Sequence, residues 1–248
     1  LGIDMLVLDD GWFGKRDDDN SGLGDWYVNE KKLGETLGGL VKRVNDLGVK
    51  FGIWIEPEMI SEDSDLYREH PDWALTIPGR KPVRSRNQLV LDFSRKEVVD
   101  GIFGQISAVL DNANIEYVKW DMNRSLMDVF SVMTKDQGRV MYDYVLGLYD
   151  FLDRMVNRYP DLLIEGCSGG GGRLMQVCCI THRRSGAATT PMLLTDFGSS
   201  MVLPSVIRYR PWEHMCLQCR TIRPEGSLRY IPEVWLPCPE PSATSWIF

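Results

Sequence analysis

The chain has 248 residues, 44% of them hydrophobic, with a formal net charge of -7 and a sequence pI near 5.1. That length is enough for a sizeable core and about one α/β domain. The acidic balance, with no cluster of Lys or Arg, argues against electrostatic binding to nucleic acid, and no apolar run approaches the roughly 20 residues of a membrane-spanning helix.

The opening Leu1-Gly2-Ile3-Asp4 reads as the end of a helix running into a strand, with no signal-peptide character. The expectation is a chain that begins inside a domain and works in the cytoplasm. Met5-Leu6-Val7-Leu8 then forms a first strand candidate, ending in Asp9-Asp10-Gly11-Trp12. Residues 33–47 carry Leu37, Leu40, Val41 and Val44 at helical spacing, with Gly48 as a stop. Phe51-Gly52-Ile53-Trp54-Ile55 runs into Glu56-Pro57-Glu58, and a short helix over 61–70 is expected before Pro71. Leu89-Val90-Leu91 ends in Asp92, and residues 98–110 again show helical spacing. Tyr117-Val118-Lys119-Trp120 ends in Asp121, a helix is predicted over 140–156, and Leu162-Leu163-Ile164 runs into Glu165-Gly166-Cys167.

Short apolar strands alternating with amphipathic helices specify a parallel sheet covered by helices. Both an open doubly wound sheet and a closed barrel satisfy that order. The acids favour the barrel: five strand candidates end in a carboxylate, and a (β/α)8 TIM barrel points all its strand ends at one pocket. With five of eight strands visible, the barrel is expected to be incomplete, occupying residues 1–173.

Past Arg173 the character changes. Residues 174–248 hold no Lys, five of the six Cys, two of the three His and eight of the thirteen Pro. Cys178-Cys179 and Cys216-Leu217-Gln218-Cys219 lie far apart in irregular sequence, so they are read as incidental rather than as a zinc site, and no metal ligands are assigned.

Five ordered motifs carry a family resemblance. Asp9-Asp10-Gly11-Trp12-Phe13-Gly14, Trp54-Ile55-Glu56-Pro57-Glu58-Met59, the run from Ser85-Arg86-Asn87 to Asp92, Lys119-Trp120-Asp121-Met122-Asn123 and Cys167-Ser168 followed by four Gly and Arg173 resemble the α-galactosidases of glycoside hydrolase family 36. The resemblance implies a (β/α)8 barrel that cleaves terminal α-galactosides of the raffinose and melibiose type with retention, through a covalent galactosyl–Asp intermediate. It implies no cofactor, a galactoside as the small-molecule partner, and homo-oligomers for intact members. Asp121 matches the nucleophile; Asp9, Asp10, Arg86, Lys119, Asn123 and Cys167 match positions that hold the galactose.

The residue types suit that chemistry. A retaining glycosidase sets one ionised carboxylate under the anomeric carbon and one protonated carboxyl at the leaving oxygen, roughly 5–5.5 Å apart. Lys119 projects to the same strand face as Asp121 and is expected to keep it ionised. Asp9 and Asp10 can accept bonds from two sugar hydroxyls. Trp12 and Trp120 offer ring faces to a pyranose, with core packing as the competing role; for Trp54 core packing is the better reading. Glu56 and Glu58 either touch sugar or back the residues that do. Four glycines after Ser168, Gly169 first, allow close backbone approach to a ligand; no Lys-Ser/Thr follows as a P-loop requires.

The family pattern breaks after Arg173. Members continue with Phe-Asp and, further on, Trp-x-Ser-Asp-x-Thr-Asp, whose first Asp is the acid/base; neither is visible here. One T lost from CGN-TTT-GAT-G gives Arg173-Leu174-Met175, and restoring it permits Trp-Cys-Ser-Asp-Asn-Thr-Asp beneath residues 185–192. Residues 174–248 are therefore read as an out-of-frame tail, which leaves this chain without an acid/base and inactive on ordinary galactosides. Two other functions compete. A metal-dependent barrel hydrolase would want His at strand ends, yet His70 is the one His before residue 174. A non-catalytic galactose-binding module would need a closed scaffold.

Overall fold

The computed structural model describes residues 3–171. Expectations placed on the tail, including its cysteines and the missing acid/base motif, lie outside the described residues.

Four strands form one parallel sheet: β1 (Met5–Leu8), β2 (Lys50–Ile55), β5 (Tyr117–Trp120) and β6 (Leu163–Gly166). They stand side by side in chain order. A doubly wound sheet reverses its strand order at a switch point, whereas a barrel adds strands in one direction. The uninterrupted order, with helices between, makes this a partial (β/α) barrel. Gly52 makes room for β5: a Cβ there would meet Tyr117 Cδ1 at 2.7 Å.

One predicted barrel strand is not in the barrel. Leu89–Val90 (β4) pairs antiparallel with Met59–Ile60 (β3) in a separate two-stranded sheet, and β2 bonds directly to β5. Asp92 is thus a buried loop acid that accepts from Ser94 Oγ at 2.5 Å. An apolar triplet ending in an acid fits a β-arm as well as a barrel strand, because local sequence does not encode its pairing partner.

The helices follow the apolar spacing, with ends set by capping. The helix predicted over 33–47 is α2 (Leu37–Asp46), preceded by a separate short helix, α1 (Glu30–Leu33), that the spacing did not mark. Gly34 stops α1 in the left-handed region at φ 75°, and the Thr36 side chain accepts from Gly39 N to start α2. α3 (Asp65–Glu69) begins later than predicted, because Ser64 is its cap while Ser61 is buried and accepts from Leu23 N. α4 (Lys96–Asp111) and α5 (Val140–Arg158) slightly exceed their predicted spans. Their apolar stripes meet the sheet around Phe151, whose ring takes Phe103 and Trp120 edge-on at 5.3 and 5.1 Å and stacks with Phe93 at 5.9 Å. α6 (Ser168–Gly171) follows β6 within two residues.

Candidate active site

All four barrel strands end in acids or in the backbone that binds them. Asp121, the residue after β5, is 6% exposed. Oδ2 accepts from Asn123 Nδ2 at 2.8 Å and Trp54 Nε1 at 3.1 Å; Oδ1 accepts from the main-chain N–H groups of Gly169 at 2.8 Å and Met122 at 2.9 Å. Burial alone would raise its pKa, but these four donors more than offset it and hold the carboxyl below the usual Asp value. Asp121 is a recessed, ionised carboxylate.

Lys119, which the sequence suggested as the source of that ionisation, is not among the main contributors to it. The Lys119 ammonium lies 3.3 Å from Asp9 Oδ2, bridging β5 to β1. Asp9 also accepts from Asp10 N at 3.0 Å. Trp54, Lys119 and Glu165 are register partners on β2, β5 and β6 and so face the same side. Glu165 is pushed up to about 7, first by burial and then by the like charge of Asp9.

Asp10 faces Arg16, a 5% exposed guanidinium that donates Nη2 to Oδ2 at 2.8 Å and Nε to Oδ1 at 3.0 Å. Arg16 also lies 3.5 Å from Asp19, which is 3.6 Å from Arg86. Arg86 therefore reaches the other site residues through exposed Asp19 and buried Arg16, and no direct contact joins it to Lys119 or Asp121 among the described residues. Arg86 and Asn87 both adopt left-handed φ values, 52° and 56°, and Asn87 Nδ2 donates to Asn20 at 2.6 Å. Cys167 is half-buried, and its N–H donates to Trp120 O at 2.8 Å.

The two tryptophans expected to face a sugar do not. Trp120 packs edge-on against Phe151 on the helix side and donates Nε1 to Glu58 at 3.0 Å. Trp12 is buried beside Phe13 and Trp26, its Nε1 bonded to Trp54 O at 2.9 Å. Strand alternation explains the first: neighbours on a strand point to opposite faces, so Lys119 and Trp120 cannot share one. Glu56 and Glu58 are buried braces. Glu58 receives Trp120 Nε1 and the Tyr144 hydroxyl at 2.6 Å. Glu56 Oε1 receives Gln88 Nε2 at 2.9 Å and the Asn123 N–H, and burial chiefly pushes this carboxyl up to about 7.

Sequence reasoning missed two residues. Trp54 is in the aromatic core as read, but its indole also donates to Asp121; its two-residue offset from Glu56 on a strand aimed at the site was the available signal. Arg16 follows Asp9-Asp10-Gly11-Trp12-Phe13-Gly14 closely enough for a tight loop to fold it back, and Gly14 turns there at φ 44°. Among the described residues, no group of three or more His, Cys, Asp or Glu is placed to hold a metal ion.

The melibiase family model matches residues 1–207. The chain belongs to that family. The bifunctional α-galactosidase/sucrose kinase AgaSK of Mediterraneibacter gnavus is 69% identical over 173 residues, covering 70% of this chain and 18% of that protein. The crystal structure of the GH36 α-galactosidase AgaB from Geobacillus stearothermophilus superposes with a TM-score of 0.68 at 55% identity. A variant of AgaA from the same organism, solved in complex with raffinose, gives 0.68 at 53%. Each of these two matches covers 69% of this chain and 24% of the solved one. The chain thus spans a quarter or less of each of these three relatives.

Proposed function

We propose that this chain is the nucleophile-bearing part of a retaining α-galactosidase barrel acting on raffinose- or melibiose-type galactosides. The observation that carries the reading is Asp121: a carboxylate held ionised by four donors at the carboxyl end of a barrel strand, in a melibiase. One Asp121 oxygen forms a bond to the anomeric carbon of the galactosyl unit as the glycosidic C–O bond breaks, and the leaving oxygen takes the electron pair. Asp9, Asp10, Lys119 and Asn123 line the strand ends where the sugar hydroxyls would lie, with Arg86 on the rim and Cys167 and Gly169 on the β6 side. The name of AgaSK and the raffinose complex of the AgaA variant support the substrate class.

Residues 174–248 we read as an out-of-frame continuation. The 173-residue match to AgaSK has the length of the segment before the break, although the family model's match runs on to residue 207. Without the Trp-x-Ser-Asp-x-Thr-Asp acid, leaving-group protonation is lost, and general acid catalysis contributes about 10²–10⁴-fold. Ordinary galactosides should then be turned over barely at all, while a galactoside whose leaving group needs no proton should still react with Asp121.

The test is α-galactosyl fluoride. The 248-residue chain should release one fluoride and gain one galactosyl unit on the peptide carrying Asp121, and Asp121→Gly should gain none. Absence of the adduct, or its placement elsewhere, would overturn the nucleophile assignment. Inserting one T at codon 174, with the rest of a full-length enzyme supplied, should restore raffinose hydrolysis; brisk hydrolysis by the unrepaired chain would refute the reading of the tail.

A further inference from the structure

Asn123 touches two acids at once. Its side-chain amide donates to Asp121 Oδ2 at 2.8 Å, and its main-chain N–H donates to Glu56 Oε1. Glu56 comes from the end of the neighbouring strand β2 and is 1% exposed. The same oxygen receives Gln88 Nε2 at 2.9 Å, and Gln88 O in turn accepts from Arg124 Nη1. The two residues after Met122 are therefore tied, one through its backbone and one through its guanidinium, to a single buried pair, Glu56 and Gln88.

Resting on Asp121 as nucleophile, we infer that Glu56 is a positioning residue for it, acting through Asn123. The physical reason is loop geometry. Asn123 lies past the end of β5, where no ladder partner fixes its backbone, and its amide reaches Asp121 only if the Cα is held at that point. A buried acceptor for its N–H supplies the fixed point, because a buried backbone donor left unpaired is costly. Removing the acceptor frees the loop to turn that N–H elsewhere and withdraws one of the four donors from Asp121. Glu56 touches neither Asp121 nor the pocket directly, so its effect must be read on Asp121.

The readout is the titration of the Asp121 side-chain carboxyl by carbon-13 NMR in the full 248-residue chain, with Asp121→Asn assigning the resonance. Glu56→Ala should raise the Asp121 titration midpoint by on the order of one pH unit, as loss of a donor to the charged form does. Glu56→Gln should restore the wild-type midpoint, since its amide oxygen accepts the same N–H. Glu56→Asp, one methylene shorter, should resemble Glu56→Ala and serves if Glu56→Ala does not fold. An unchanged Asp121 midpoint in a folded Glu56→Ala or Glu56→Asp chain, or a Glu56→Gln midpoint displaced as far as theirs, would overturn the inference. The titration needs no sugar, so failure of galactosyl labelling would count against the function alone.

Discussion

Glu56→Gln should make the fold's stability respond differently to pH. The wild-type carboxyl is buried, and its pKa rises from 4.5 to about 7, chiefly because burial penalises the charged form. The unfolded chain ionises Glu56 near the ordinary value, so between pH 4.5 and about 7 the native state binds a proton that the unfolded state has lost. Stability from this group is complete below about pH 4.5 and drains away as pH rises through about 7. At about 1.36 kcal/mol per pH unit, the gap corresponds to about 3 kcal/mol. Glutamine keeps the acceptor oxygen for Asn123 and Gln88 and cannot ionise. Urea unfolding of both proteins at half-unit steps from pH 4.5 to 8 gives the difference directly. The Glu56→Gln chain should gain about 3 kcal/mol on wild type across that window, with the gain flat above about pH 7.5. A difference that does not change with pH would refute a protonated Glu56 in the native state.

Two further substitutions probe the frame around the site. A Cβ on Gly147 would lie 1.8 Å from Phe93 O, so Gly147→Ala should push α5 off the loop beneath it and cost about 1–3 kcal/mol or more, read as a lowered denaturation midpoint; an unchanged midpoint would mean that α5 does not sit this close. Arg16→Ala should weaken binding of 1-deoxygalactonojirimycin, but add little to the loss in an Asp10→Asn background. Additive losses would show that Arg16 does not act through Asp10.

Legibility in the sequence divided along physical lines. Strands β1, β2, β5 and β6 and helices α4 and α5 follow from apolar periodicity, which burial imposes directly. The strand Leu89–Val90 was found, but its place was not, since its register partners Ile60 and Met59 lie 29 and 31 residues away (89 − 60 and 90 − 59) and nothing local marks the pairing as antiparallel. The break between α1 and α2 was legible in principle at Gly34 and Thr36, although the spacing did not mark α1. In the site, the acids announced themselves by position; the donors did not. Trp54 looks like any core tryptophan until its indole N–H is placed, and an N–H from Gly169, 48 residues beyond Asp121, carries no side-chain signature at all. Trp12 and Trp120 erred the other way: Trp120 sits next to the strand-end Asp121 and so points to the opposite face, and Trp12 packs into the aromatic core with Phe13 and Trp26.

On the proposed function, the placement of the donors separates the two halves of a retaining reaction. Trp54 comes from β2, Met122 and Asn123 from the segment just after β5, and Gly169 from α6 after β6, so the donors that keep Asp121 ionised all lie at or just beyond the ends of the described strands. Nothing there supplies a comparable general acid. The neutral carboxyl of Glu56 is sealed at 1% exposure with one oxygen already bonded twice, and the Glu165 carboxyl lies on the level of Lys119, one step below Asp121 along the strands. On the proposed function, a barrel built strand by strand acquires its nucleophile before its acid. On the proposed reading of residues 174–248, leaving-group protonation is missing while the Asp121 carboxylate stays poised, which is why galactosyl fluoride and raffinose should give opposite answers with the same chain.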